Sequence, residues 1–233
     1  MSHITPDELN SAAEGFLKEL QARTEPLKPK DRMQIPGQDM PSQDPDVRRG
    51  NTSEVALGYT PAQAMLEAQR CLRCKRQPCI KGCPVAIDIR DFVEAIADGD
   101  NAKAISVIKQ SSLLPAICGR VCPQEVQCQA ECTLGKGLRD PEKSVSIGRL
   151  ERYVADWERE AGQIGTPEVK ASTGKKVAVI GSGPAGLVVA ADVRREGHDV
   201  TVFEAFHKFG GVMLYGIPEF RLPKAIVGLE IET

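Results

Sequence analysis

Aromatic residues are scarce in this 233-residue chain, 4% in all, too few for a platform on which single-stranded nucleic acid could stack. Neither sign of charge is in excess. Thirty Lys and Arg stand against 32 Asp and Glu, a formal −2, which gives no electrostatic case for nucleic acid or for an anionic membrane. No apolar run approaches the roughly 18–20 residues of a membrane helix. Met1 to Leu20 has neither a basic nor an apolar segment and does not read as a secretory signal. His3, His198 and His207 stand in no ligand or triad spacing, and no Ser-His-Asp or paired-carboxylate pattern stands out. No residue is therefore assigned as a catalytic acid, base or nucleophile. Cysteine is missing from most of the chain: all eight fall between Cys71 and Cys132.

That concentration is the first strong positive signal. With 41% hydrophobic and 27% charged residues the chain reads as ordinary globular protein of one or two domains. Without a leader the compartment reads as reducing, hence cytoplasmic, where clustered thiols mean metal or catalysis rather than disulfides. The first group is Cys71-x2-Cys74-x4-Cys79-x3-Cys83-Pro84, and the second is Cys118-x3-Cys122-Pro123-x4-Cys128-x3-Cys132. Soft thiolates suit iron and sulfide, and three closely spaced ligands on a tight loop can wrap one side of a cubane while a distant segment closes it. In two-cluster ferredoxins the Cys before Pro serves the other cluster. Cys83 stands in that position, which leaves the second group to return a thiolate to the first. Structural zinc is the competing reading, but it favours paired CxxC spacings, and only Cys71–Cys74 has one.

Four segments follow from composition and periodicity. Residues 1–58 form an arm: a short helix over Asp7–Leu20, then a stretch rich in Pro, Gln and Asp that reads as an extended packing strap. Residues 59–160 read as a helical iron–sulfur domain. Its first helix starts at Thr60-Pro61 and delivers Cys71. Helices follow over Ile89–Ala97, Ala102–Ile108 and Ser144–Trp157, the last with Ile147, Leu150 and Val154 on one face. Trp157 reads as helix packing. Residues 161–175 read as a linker, and residues 176–233 as the start of an α/β domain. There Val177–Ile180 is expected as a buried strand, Pro184–Glu196 as a helix closed by Gly197, and Val200–Phe203 as a second strand.

Gly181-x-Gly183-x-x-Gly186 lies between that first strand and the helix. A lone GxGxxG is weak, but the strand–turn–helix context supplies what it needs. Gly181 permits the tight turn, Gly183 lets backbone approach a pyrophosphate, and Gly186 lets helix and strand pack closely. The helix N-terminus provides N–H groups for phosphate. Glu204 closes the second strand where a carboxylate takes a ribose 2′-OH, and it disfavours NADP at this site. Ala190, Gly197 and Gly210-Gly211 extend the spacing.

Three stretches carry a family resemblance: Cys71-Leu72-Arg73-Cys74, Cys79 to Val85, and Ile117-Cys118-Gly119-Arg120-Val121-Cys122-Pro123. They resemble the N-terminal domain of the glutamate synthase small subunit and are similar to dihydropyrimidine dehydrogenase and the large subunit of the NADH-dependent ferredoxin:NADP oxidoreductase. The resemblance implies two [4Fe–4S] clusters. One would take Cys71, Cys74, Cys79 and Cys132. The other would take Cys83, Cys122, Cys128 and an oxygen ligand from Ser146 to Glu151, which makes Glu151 the candidate and Cys118 a spare thiol. Cys118 as the eighth ligand is the rival. The extended glycine pattern resembles the FAD fingerprint of two-dinucleotide flavoproteins, with Gly181, Gly183, Pro184, Ala185, Gly186, Glu204, Gly210, Gly211 and Leu214 at the cofactor. The tail from Gly211 to Lys224 resembles the same small subunit, where it leads into an NADPH-binding domain. A second GxGxxG is absent here, so the chain reads as part of a subunit about twice as long. The expected fold class is an α-helical double [4Fe–4S] domain followed by the start of a Rossmann-type FAD domain. The expected function is to pass electrons from NADPH through FAD and the clusters to the glutamate synthase large subunit, or an equivalent acceptor, in a hetero-oligomer. The ferredoxin:NADP (or sulfide dehydrogenase) role and a non-enzymatic iron–sulfur docking module are the alternatives.

Overall fold

The computed structural model describes residues 4–162, 164, 165 and 167–232. They form two compact units: the first takes the described residues up to Gly162 except Thr52–Glu54, and the second takes Thr52–Glu54 with the described residues after Gly162. His3 lies outside the described residues.

In the first unit, chain chemistry decides where helices begin. Helix α1 (Pro6–Gln21) opens on a capping box, with the Glu8 N–H donating to Thr5 Oγ1 and the Thr5 N–H donating to Glu8 Oε2. Proline also opens two one-turn helices in the arm, α2 (Pro29–Arg32) and α3 (Pro45–Arg48), where a wholly extended strand of chain had been expected. Pro at the first helical position is preorganised for that turn. Helix α4 (Pro61–Gln69) uses Thr60 as cap and Gln63 as its reciprocal partner. The arm is a strap rather than a loose tail: Ala13, Ile35 and Leu66 form a buried cluster, with Phe16, Leu17 and Leu20 packed against it. Its polar groups are tied down too. Arg32 Nη1 donates to the Gln69 carbonyl at 2.7 Å, and Tyr59 Oη to that of Gln38 at 2.7 Å.

The cysteine-bearing segments lie between further short helices: α5 (Pro78–Gly82), α6 (Ile89–Ala97), α7 (Asn101–Lys109), α8 (Pro115–Val121), α9 (Thr133–Leu138) and α10 (Ile147–Glu160). Helices α5, α8 and α9 are too short for a 3.6-residue pattern to mark them in sequence. Helix α10 starts three residues later than its periodicity suggests, because Ser144 and Ser146 are held in other bonds. Phe92, Leu66, Ile96, Ile108, Leu134, Leu150 and Val154 are almost completely buried, each contributing roughly 1.5–3 kcal/mol by leaving water. Trp157 is half-buried on α10.

Helices α8 and α10 approach most closely at Gly119, where a Cβ would lie 2.5 Å from the Arg152 nitrogen. The same junction holds a buried ion cluster. Asp156 accepts from Arg120, Arg152 and Arg159 at 2.6–3.2 Å. Burial pushes its carboxyl up, but the three guanidiniums outweigh that and hold it below the usual range.

The second unit is a β-α-β element. Strand β1 (Lys176–Ile180) pairs in parallel with β2 (Asp199–Phe203), Val177 opposite Val200 and Val179 opposite Val202. Helix α11 (Pro184–Arg195) is the crossover, and Gly197 (φ +88°) ends it. Residues 170–173 run against this turn, with the Lys170 N–H bonded to the Arg195 carbonyl and the Thr173 N–H to that of Gly197. Helices α12 (Val212–Tyr215) and α13 (Lys224–Glu232) follow. The expectation of a buried first strand is corrected here. Only Val179 is buried in β1, and Ile180 is 82% exposed. Two strands and one crossover helix cover a single face of so small a sheet. Among the described residues no helix is long and apolar enough to cross a membrane.

Gly119→Ala is expected to destabilise the protein by about 1–3 kcal/mol through overpacking. Gly15→Ala, in α1 with nothing near its Cβ position, is expected to stabilise by about 0.5–1 kcal/mol. Denaturant unfolding of both variants checks the signs.

Candidate cofactor sites

Backbone conformation aims the first cysteine group. Between Cys71 and Cys83 the chain curls through two non-glycine residues in the left-handed region, Arg73 (φ +51°) and Gln77 (φ +44°), and Ala86 (φ +54°) follows. Such residues are uncommon and carry strain. The ion pair of Arg73 with Glu94 at 2.7 Å helps hold the first. The result is a cavity of about 30 Å³ lined by Cys71, Cys74, Cys79 and Cys132, with Pro78, Leu134 and Val145 in its apolar wall. Cys132 thus arrives from the second group, about fifty residues away in sequence. Among the described residues no three His, Cys, Asp or Glu side chains close on one point as a single ion requires. These four sulfurs border a volume instead.

The thiols feel one another. Burial pushes Cys79 up to about 12, and Cys71 and Cys132 add to the shift. Burial also raises Cys71, with Cys132 and Cys74 contributing. Such a site ionises readily only around a polycation, which deprotonates coordinating thiols outright. The donor set, four soft sulfurs around one volume, fits an iron–sulfur core.

The remaining cysteines gather around α10. Cys83 lies beside Cys128, whose thiol is pushed up to about 12 by burial, then by Cys83 and Glu151. Glu151 is 5% exposed, not the solvated charge usual on a helix surface, and its carboxylate also raises Cys118. Cys118 donates to the Cys122 sulfur; this bond chiefly raises Cys118 and lowers Cys122. Cys83, Cys118, Cys122, Cys128 and Glu151 therefore share one neighbourhood, and both Cys118 and Glu151 are close enough to remain candidates for the same role. Two glycines make the convergence possible. A Cβ on Gly82 would sit 2.7 Å from the Gln127 carbonyl oxygen, and one on Gly148 would collide with Gln124.

A buried network that sequence reasoning missed joins the two neighbourhoods. Glu67 is fully buried and pairs with Arg70 at 2.5 Å. Its carboxylate also accepts the Ser146 N–H at 2.8 Å and the Gln38 N–H at 2.9 Å. Arg70 donates to the Lys143 and Ser144 carbonyls. On a helix surface in sequence, Glu67 and Arg70 look like an ordinary i,i+3 pair.

In the second unit the glycine loop does what its spacing requires. Gly181 has φ +93°, a conformation other residues rarely adopt. A Cβ at Gly186 would run into the Gly181 carbonyl, whereas one at Gly183 would meet nothing within 4 Å. Gly183 is therefore not needed for packing within the described residues. Its open side fits close approach of a pyrophosphate to backbone, with Pro184 and Ala185 exposed in the first turn of α11. Gly210 (φ +116°) and Gly211 (φ +53°) are more than a turn. The Gly210 N–H donates to the Ser182 carbonyl at 3.1 Å, and a Cβ on Gly211 would lie 2.7 Å from Gly183 Cα. Leu214 stands half-buried in α12, packed next to Gly210. Ser182 escaped notice in sequence, yet it is fully buried and ties the loop to Glu204 and Gly210. Glu204 accepts from the Ser182 N–H and hydroxyl and from the Phe206 N–H. The Phe206 bond, then the Ser182 bonds, depress its carboxyl to about 2. His198 and His207 make local bonds to Thr173 and Tyr215.

Comparison with known proteins agrees with both units. Residues 48–163 match the family described as dihydropyrimidine dehydrogenase domain II, 4Fe-4S cluster. Residues 179–221 match the NAD(P)-binding Rossmann-like domain. The NAD-dependent dihydropyrimidine dehydrogenase subunit PreT of Escherichia coli O157:H7 is 40% identical over 179 residues, 76% of this chain and 42% of that protein. The glutamate synthase [NADPH] small chain of Halomonas elongata is 35% identical over 194 residues, 81% of this chain and 40% of that protein. The corresponding small chain of Escherichia coli (strain K12) is 36% identical over 189 residues, 81% and 39%. The chain is a homologue of the glutamate synthase small chains and the PreT subunits. It spans about two fifths of the length of these curated relatives. The helical unit is a 4Fe–4S domain and the second unit is Rossmann-like.

Glu204 of this small-chain homologue gives a pH test. Its folded-state pKa lies below its ordinary 4.5, so the stabilisation it confers is present above about pH 4.5 and is lost as pH falls towards 2. Glu204→Gln is expected to melt below wild type at pH 6, with the gap closing between pH 4.5 and 2.5. A gap unchanged across that range would assign the loss to packing.

Proposed function

We propose that this chain is the electron-transferring part of an NAD(P)H-dependent iron–sulfur flavoprotein oxidoreductase. Cys71, Cys74, Cys79 and Cys132 hold one [4Fe–4S] cluster. Cys83, Cys122, Cys128 and Glu151 hold a second. The glycine loop, with Glu204, Gly210, Gly211 and Leu214, binds the adenine-dinucleotide part of FAD. The observation that carries this reading is the set of four thiols from two separate segments around one cavity. When bound, the flavin accepts a hydride equivalent from NAD(P)H and the clusters carry its electrons singly to an acceptor.

The chain's own residues bind, orient and tune. The curled Cys71–Cys83 loop presents three sulfurs at fixed spacing. Helix α10 brings a carboxylate, a harder ligand than thiolate, to the second site, which alters cluster potential. Glu204 remains ionised at neutral pH, so it accepts a ribose hydroxyl and repels a 2′-phosphate. That favours FAD over NADP at this loop.

For the acceptor, the tail and cysteine motifs favour the large subunit of a glutamate synthase, which forms glutamate from glutamine and 2-oxoglutarate. A second reading has its own support. PreT, the NAD-dependent dihydropyrimidine dehydrogenase subunit, has the higher identity, 40%, and favours a pyrimidine-reducing partner. Assaying the whole subunit with each partner for glutamate formation and for pyrimidine reduction separates the two.

Purified without oxygen, the chain is expected to be brown and to hold roughly eight irons. Cys132→Ser and Glu151→Ala are each expected to remove about half of the iron, while Cys118→Ala retains it. Full iron in Glu151→Ala with loss in Cys118→Ala would transfer the ligand role to Cys118, and a zinc-loaded colourless protein would overturn the whole reading.

Gly183→Ala is expected to abolish flavin retention while leaving the melting temperature of the flavin-free protein unchanged, because the added methyl meets no protein atom within 4 Å. Flavin fluorescence after desalting checks it, and retention of flavin would remove the loop from the binding site.

A further inference from the structure

The charge around the first cysteine loop is not the charge of the chain. Overall the protein is slightly acidic, −2. From Cys71 to Val85, however, it carries Arg73, Lys75, Arg76 and Lys81 and no carboxylate. Arg73 is committed to Glu94. Lys75, Arg76 and Lys81 are exposed and make no ion pair among the described residues. They alternate with Cys74 and Cys79, so sulfurs that line the cavity have free cations on the same loop.

Apolar surface lies within the same patch. Gly82 packs against the backbone of Gln127 and Cys128, which brings the second cysteine segment alongside. Val85, three residues after Gly82, is 51% exposed, and Val126, next to Gln127, is 77% exposed. Exposed aliphatic side chains flanked by unpaired cations have the composition of a recognition surface, an apolar centre with a charged rim. Glu125 stands at its edge. Cations of one sign around a small apolar patch steer a partner of opposite charge and orient it on encounter.

We propose that this face, formed by Lys75, Arg76, Lys81, Val85 and Val126, is the docking surface for a protein electron carrier or subunit that presents carboxylates around its own one-electron centre. It rests on the cluster reading above. One electron leaves a reduced cluster held by this chain and enters the partner's centre, and no bond is made or broken.

The chain, loaded with iron, reduced with dithionite and desalted without oxygen, is mixed rapidly with native cytochrome c, which is basic, or with its lysine-succinylated form, which is acidic. Both have ample driving force, and the net charge of the chain favours the basic form. The docking surface instead predicts oxidation by the succinylated form about tenfold faster at low salt. The preference shrinks as salt shortens the Debye length. Changing Lys75, Arg76 and Lys81 together to Glu is expected to invert the preference at unchanged iron content. The same charge change at Lys18, Lys30 and Lys103 leaves it intact. If the Glu variant loses iron, the triple Gln variant carries the test and is expected to show no preference. Faster oxidation of wild type by native cytochrome c, or a preference that survives the patch changes, overturns the surface. A wild-type chain without iron overturns the cluster reading first, and the surface with it.

Discussion

Glu67 and Arg70 form a buried pair on which the arrangement of the first unit depends. Taking two charges out of water is costly, and their mutual attraction repays that only when further hydrogen bonds meet most of the remaining polar sites, here all but the buried Arg70 Nε. Here the carboxylate takes N–H groups from the arm and from the start of α10, and the guanidinium takes two carbonyls just before α10. Removing one partner of such a pair costs about 3–5 kcal/mol. Its value is positional. Residue 71 follows Arg70 directly, and Glu151 lies one turn into the helix that Ser146 begins. A single pair thus sets the separation between the loop that carries the first thiols and the helix that carries the carboxylate.

The thiols themselves oppose this arrangement. Burial and neighbouring sulfurs raise Cys71, Cys79 and Cys128, so the gathered thiols stay protonated and neutral until positive charge enters among them. The fold gathers them by close backbone contacts at Gly82 and Gly119, by the packing of Gln124 on Gly148 and by left-handed turns at Arg73 and Gln77. Backbone strain held at one place by surrounding contacts suits a prearranged metal site.

The second unit is organised by a different constraint. Ser182 and Glu204 tie the glycine turn to the end of β2, and Gly210-Gly211 closes against the same turn. The loop is rigid where it meets protein and open at Gly183. Much of the sheet and its surroundings is apolar and uncovered, Ile180, Phe203 and Phe206 among it. Two parallel strands bury little, and Rossmann sheets reach their burial through further strands and helices.

Much of this was legible from residue types and spacing. The Thr60-Pro61 start, the amphipathic α10, the β-α-β unit and the glycine turn are local signals, set by neighbours a few positions apart, and local sequence determined them. The cysteine spacings likewise announced metal rather than disulfides. Other features depended on contacts between distant segments. Three short helices carry too few residues for a period, the arm's proline-led turns took the place of extended chain, and β1 proved mostly exposed. No spacing rule could show that Glu67, Ser182 and Glu151 are buried, because burial depends on what packs above a residue rather than on what precedes it. The sequence by itself determined which atoms were available to bind iron and phosphate; which sulfurs share a cavity was decided only by the tertiary structure, since ligands fifty residues apart meet through packing and not through spacing.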